Sequence, residues 1–175
     1  MKKEHIFIIV LVVLVAGIAL LTVINNKRSK IDRTPELTTA LTTVANHLKD
    51  TGVKFYGASW CPHCASQKAF FKSAVKDLPY IECSTGGAGT PQTQICIDAK
   101  IEGYPTWEFK QDVRASMEIT PSDLASVTNT TLDEVSKTEL SKQKEIYLSE
   151  LNEKQKQSYL EAIKKLENQM LSSKK

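Results

Sequence analysis

Two cysteines with two residues between them constrain this chain most. They lie in Trp60-Cys61-Pro62-His63-Cys64, after the short apolar run Val53-Lys54-Phe55-Tyr56-Gly57 and before the amphipathic stretch Ala65-Ser66-Gln67-Lys68-Ala69-Phe70-Phe71. The order reads as strand, tight turn, helix. A cysteine at that helix's N-terminus has its thiolate at the positive end of the helix dipole. Thiolate is the reactive form of cysteine, so such a turn makes a nucleophile of an ordinary thiol.

The chemistry open to this pair depends on the compartment. The 175 residues hold four cysteines, Cys61, Cys64, Cys83 and Cys96, all inside one 36-residue window. An even number in a chain held outside the cytoplasm favours disulfides. Ile6 to Ile24 is a run of 19 residues without a charge. As a helix it nearly spans a hydrocarbon core of about 30 Å. It is longer than the apolar region of a cleaved leader, and Asn25-Asn26-Lys27-Arg28 behind it makes a poor cleavage site. The run is expected to be an uncleaved transmembrane anchor, with residues 1–5 as its flank and 25–34 as a linker. Lys27, Arg28, Lys30 and Arg33 on one side outnumber Lys2 and Lys3 on the other, a slight lean toward a cytoplasmic C-terminal side. The cysteine chemistry favours export, and an extracytoplasmic domain is expected.

The net charge is +3, and residues 1–33 carry six Lys/Arg against two acids. The basic excess thus belongs to the membrane flank, while residues 34–131, with eight against ten, give no nucleic-acid surface.

Pro35 opens a helix, with Thr34 as cap and Leu37, Leu41, Val44 and Leu48 on one face, and Gly52 ends it. The strand Val53–Gly57 and a helix from Cys61 to about Lys76 follow. Tyr80–Cys83 reads as a second strand. The loop Gly86-Gly87-Ala88-Gly89 lacks the Gly-Lys-Ser/Thr of a phosphate cradle. Thr90-Pro91 caps a third helix to about Lys100, with Ile95, Cys96 and Ala99 inward. Thr106–Phe109 and Ala115–Ile119 read as antiparallel strands, and Thr120-Pro121-Ser122-Asp123 caps a short helix with Leu124 and Val127 inward. From Thr131 onward glycine, proline and cysteine vanish. This tail, 131–171, reads as helical with a stripe of Tyr159, Ile163, Leu166 and Met170. It is either one long helix with a polar middle or two helices joined near Asn152–Ser158. The stripe suits folding back on the domain, a coiled coil with a second copy, or a partner.

The order helix, strand, helix, strand, helix, strand, strand, helix, with a Cys-x-x-Cys after the first strand, resembles the thioredoxin fold over residues 35–128, an α/β class with a mixed sheet flanked by helices. Tyr104-Pro105-Thr106 before the third strand strengthens the likeness. The segments Lys54–Ala58, Leu78–Cys83, Gly89–Gln92, Cys96 and Gly103–Trp107 are similar to one subfamily. It is the thioredoxin-like domain fused to, or partnered with, bacterial vitamin K epoxide reductase homologues, membrane enzymes that pass electrons from thiols to quinone.

The resemblance implies a thiol–disulfide oxidoreductase. Its one cofactor is its own redox-active disulfide Cys61–Cys64, with no bound cofactor or metal. Its partners are client proteins with cysteine thiols and a quinone-linked membrane protein. Cys61 is then the nucleophile and Cys64 the resolving thiol. Pro62 restricts the turn, and His63 donates to the Cys61 thiolate and adds positive charge when protonated. The subfamily implies a cis Pro105, which shapes a substrate groove with Trp60, Tyr104 and Thr106 and leaves backbone groups for an extended peptide. It also implies a second, structural disulfide, Cys83–Cys96; a relay that exchanges with Cys61–Cys64, or two free thiols, are the competing readings of that pair. The spacing Cys-x2-Cys-x18-Cys-x12-Cys alone also admits four zinc ligands. Phe55 stands where many thioredoxins carry a buried acid, six residues before Cys61, so the proton acceptor of Cys64 has no sequence candidate. A reductase or isomerase of the same fold, and a non-catalytic adaptor recruiting a partner through the tail, are the competing readings.

Overall fold

The computed structural model describes residues 11–19, 34–110 and 113–173. The chain divides into two units, Met1–Pro35 and Glu36–Lys175. Helix α1 (11–19) and residues 34–35 are the described part of the first. The remainder of the Ile6–Ile24 run, the flank 1–5 and residues 25–33 of the linker lie outside the described residues. Among those described, no helix is long and apolar enough to cross a membrane. The transmembrane expectation therefore rests on sequence alone.

Helix α2 (Pro35–Asp50) buries Leu37, Ala40, Leu41, Val44, Ala45 and Leu48. It stops at Gly52, whose φ of +75° suits a residue without Cβ. Strand β1 (Lys54–Gly57) leads into α3 (Pro62–Phe70), and a 3-10 turn covers Lys72–Asp77. One helix was expected over Cys61–Lys76. The chain breaks at Lys72, which takes φ +48°. On either side of that break Phe71 and Ala74 are both buried, while Val75 is exposed.

Strand β2 (Tyr80–Glu82) pairs parallel to β1, with Phe55 beside Tyr80. Helix α4 (Gln94–Asp98) starts at cap Thr93 rather than Thr90 and is half the expected length. Thr90 instead closes the glycine loop by donating to Gly87 O at 2.8 Å. Of the inward set on α4, Cys96 is buried but Ile95 is exposed. A five-residue helix offers one inward position per turn, and Cys96 occupies it. Strand β3 (Thr106–Glu108) is antiparallel to β1 and to β4 (Arg114–Ala115), which is only two residues long. The sheet order is β2-β1-β3-β4. This four-stranded mixed sheet with its helices fits a thioredoxin-like fold.

Phe55 and Trp107 stack in the sheet's core face at 4.5 Å between ring centroids. Helix α5 (Pro121–Thr128) is capped by Thr120 and buries Leu124 and Val127. The tail is two helices, α6 (Glu134–Glu150) and α7 (Glu153–Ser172). The polar stretch that interrupts the apolar stripe is where they join. Asn152 and Gln155 form a reciprocal capping box there, which starts a new helix. Asp133, not Thr131, caps α6. Leu140 of α6 and Tyr159, Ile163, Leu166 and Met170 of α7 enter the same apolar core as α2, the sheet and α5. The tail's stripe therefore folds back on its own domain.

Candidate active site

Cys61 is the N-cap of α3 and Pro62 its first helical residue. The missing N–H of Pro62 costs nothing there, and its fixed φ starts the helix. The Cys61 N–H donates to Ala58 O at 3.0 Å, closing the turn. One turn into the helix lies Cys64. Both cysteines are free thiols, Cys61 6% and Cys64 1% exposed. Cys61 is thus the more accessible of the two, and both share one small cluster with Ala58 and Tyr104.

Tyr104-Pro105 is a cis peptide bond. It brings the Tyr104 carbonyl to 3.7 Å from Cys61 Sγ, which donates to it. Trp60 is 44% exposed and meets Tyr104 edge to face at 6.0 Å, so it stands beside the cysteine turn and outside the core. Thr106 is tied to the loop before β3 and to Ser116. Its hydroxyl donates to Gly103 O and pairs with Ser116 Oγ, both at 2.8 Å.

His63 is held by a carboxylate. Its Nδ1 pairs with Glu118 Oε1 at 2.7 Å, and Ser66 Oγ donates to Glu118 Oε2 at 2.7 Å. The His63 side chain is 70% exposed while Glu118 is 14% exposed. The partly buried carboxylate thus steers the imidazole along the outer face of α3. A cleft of about 820 Å³ opens at this point, walled by His63, Met117 and Glu118 on one side and by Tyr147, Leu151 and Ser158 of the tail on the other.

Cys64 has a setting of its own. Burial pushes its thiol up to about 12; Cys61 adds to the rise, and the Ala58 backbone and Lys68 oppose it. Tyr80 lies alongside, its hydroxyl donating to Glu82 Oε2 at 2.9 Å. Burial works to raise the Glu82 carboxyl. The Ser84 and Ser59 N–H groups, the Tyr80 hydroxyl and Lys68 outweigh it and hold Glu82 below the usual range. Burial, and then Glu82, raise Tyr80 above the ordinary phenol range.

Cys83 and Cys96 are joined in a disulfide, with Cα atoms 5.6 Å apart, tying the end of β2 to α4. Two of the four sulfurs that the zinc alternative needs are therefore occupied. Among the described residues no group of three or more His, Cys, Asp or Glu could hold a metal ion. The sequence offered no sign of Glu118, 55 positions from His63. Lys68 and the Tyr80/Glu82 pair did leave a signal: Lys68 is one helical turn after Cys64, and Tyr80 and Glu82 alternate onto one strand face.

No protein-family model matches the chain. It is 44% identical over 98 residues to the thiol-disulfide oxidoreductase LTO1 of Arabidopsis thaliana. The match covers 54% of this chain and 26% of that relative, so the chain spans about a quarter of the relative's length.

Proposed function

We propose that this protein is a thiol–disulfide oxidoreductase working through Cys61 and Cys64. The observation that carries the reading is the pairing of an N-cap cysteine with a buried one a turn later, beside a cis Tyr104-Pro105 bond. The likeness to a named thiol-disulfide oxidoreductase supports the same chemistry.

In the oxidising direction a client thiolate attacks Cys61 Sγ of the Cys61–Cys64 disulfide. The bond to Cys64 breaks, and Cys64 leaves as a thiolate that takes up a proton. A second client thiolate then attacks the client sulfur of the mixed disulfide, and Cys61 leaves. The client loses two electrons and the pair gains them. A quinone-linked membrane partner, of the vitamin K epoxide reductase type suggested by the motif resemblance, takes them on. The charge-free run Ile6–Ile24 supports a single-pass anchor, and the cysteine chemistry favours this domain on the extracytoplasmic side. A reductase or isomerase differs only in potential, which equilibration with glutathione measures. A value near that of cytoplasmic thioredoxin would count against the oxidase. The adaptor reading loses its main support, because the tail's apolar stripe is buried in the domain's own core.

The test is Cys64→Ala. Without its resolving thiol, Cys61 should accumulate mixed disulfides with clients on a non-reducing gel, and a blank gel would sink the enzymatic reading.

A further inference from the structure

The resolving thiol needs help to ionise, and β1 gives none: the residue facing Tyr80 there is Phe55. Two other elements close around Cys64. Cys64 and Tyr80 close directly on the bare Cα of Gly57. A Cβ at Gly57 would come within 2.9 Å of Cys64 Sγ, 2.8 Å of Tyr80 Cε2 and 3.4 Å of the Tyr80 hydroxyl. The Tyr80 ring is fixed by its hydroxyl's bond to Glu82, whose other oxygen accepts from the Ser59 and Ser84 N–H groups at 2.9 Å each. Lys68, one turn after Cys64 on α3, sets its Nζ 3.4 Å from the centroid of that ring. An aromatic face holds an ammonium without neutralising it.

The titratable groups facing Cys64 are Cys61 and Lys68 from α3, Tyr80 and behind it Glu82 from β2, and Tyr104 from the loop before β3. The end of β1 and the residue after it bring only Gly57 and Ala58, which carry no titratable side chain. We propose that Lys68, held over the Tyr80 ring, is the positioning residue whose charge stabilises the Cys64 thiolate in the resolving step. The inference rests on the thiol–disulfide reading above. Burial opposes ionisation of Cys64 and Lys68 favours it, in keeping with this role.

The step is as follows. Cys64 gives its proton to solvent, and its thiolate attacks Cys61 Sγ of a Cys61–partner mixed disulfide. The Cys61–Cys64 bond forms, the Cys61–partner bond breaks, and the partner leaves as a thiolate. The pair loses two electrons and the partner gains them. In the reverse direction the Cys64 thiolate is the leaving group, and the same charge serves it.

The experiment follows colour release when the reduced full chain reacts with dithiobis-nitrobenzoate. The first thiolate released reports attack by Cys61, and the second reports closure by Cys64. Lys68→Met should slow the second release roughly tenfold near neutral pH and move its pH profile up by about one unit. Lys68→Arg, which keeps the charge, should restore both. An unchanged second release in Lys68→Met overturns the proposal alone, as does a Lys68→Arg variant as slow as Lys68→Met. A native protein that gives no second release overturns the thiol–disulfide reading and this proposal with it.

Discussion

The Tyr159 hydroxyl of α7 donates to Asp123 Oδ2 of α5 at 2.5 Å, and it accepts from the Thr120 N–H at 3.1 Å. Asp123 also accepts from Thr120 Oγ1 at 2.6 Å and from Lys144 of α6 at 2.5 Å. One buried carboxylate thus gathers both tail helices onto the cap of α5. Tyr159→Phe keeps the ring and leaves the Thr120 N–H without this partner. It should cost about 1–3 kcal/mol, read as a lower urea midpoint. An unmoved midpoint would mean that the tail is held by apolar contact alone.

Gln67 plays a similar part under the cysteine helix. Its Nε2 donates to Ile119 O at 2.9 Å, and its Oε1 accepts from Ile119 N at 2.7 Å and Trp107 Nε1 at 3.3 Å. Gln67→Leu strands these groups in the core and should cost roughly 2–4 kcal/mol. Chemical denaturation checks it, and a loss of a few tenths would contradict the role assigned to Gln67.

Replacing Cys83 and Cys96 together by Ala removes a crosslink across 13 residues. In the chain-entropy model this lowers stability by roughly 3 kcal/mol. Cys61–Cys64 exchange should survive, because Cys83 and Cys96 pack in a cluster of their own with Tyr56 and Ile101, apart from the one that holds Cys61 and Cys64. Thiol exchange assayed at a temperature where the variant stays folded separates the two effects. Loss of exchange there would make the second disulfide a relay.

The Cys64 thiol, pushed by burial from the ordinary 9.0 to about 12, gives a pH signature. A thiol that binds its proton more tightly in the folded state stabilises fully below pH 9.0. That contribution is lost as pH rises toward about 12. Cys64 titrates only when reduced. The reduced form should lose stability relative to the oxidised form as pH climbs past 9.0, seen by denaturing both forms across that range. Parallel curves would contradict the burial argument.

What the sequence could reveal here was local. The 3.6-residue period of Leu37, Leu41, Val44 and Leu48, the cap at Thr120 and the Cys-x-x-Cys turn each depend on neighbours within a few positions. The break at Lys72 did not show, because a left-handed lysine has no residue signature and the apolar pattern continues across it. Spacing did not fix the Cys83–Cys96 bond, since the same four cysteines suited zinc, and only the family resemblance implied it. The Glu118 clamp on His63 and the docking of Tyr159 on Asp123 join residues 55 and 36 positions apart. Such contacts exist only once the helices have packed.

The central claim, that Cys61 and Cys64 form one two-electron couple, is tested most directly by equilibrating the full chain in glutathione buffers and mapping its thiols by mass. The account predicts that Cys61 and Cys64 disappear together into one bond while Cys83–Cys96 stays joined. Cys61 found only as a glutathione adduct, with Cys64 still a free thiol, would contradict it.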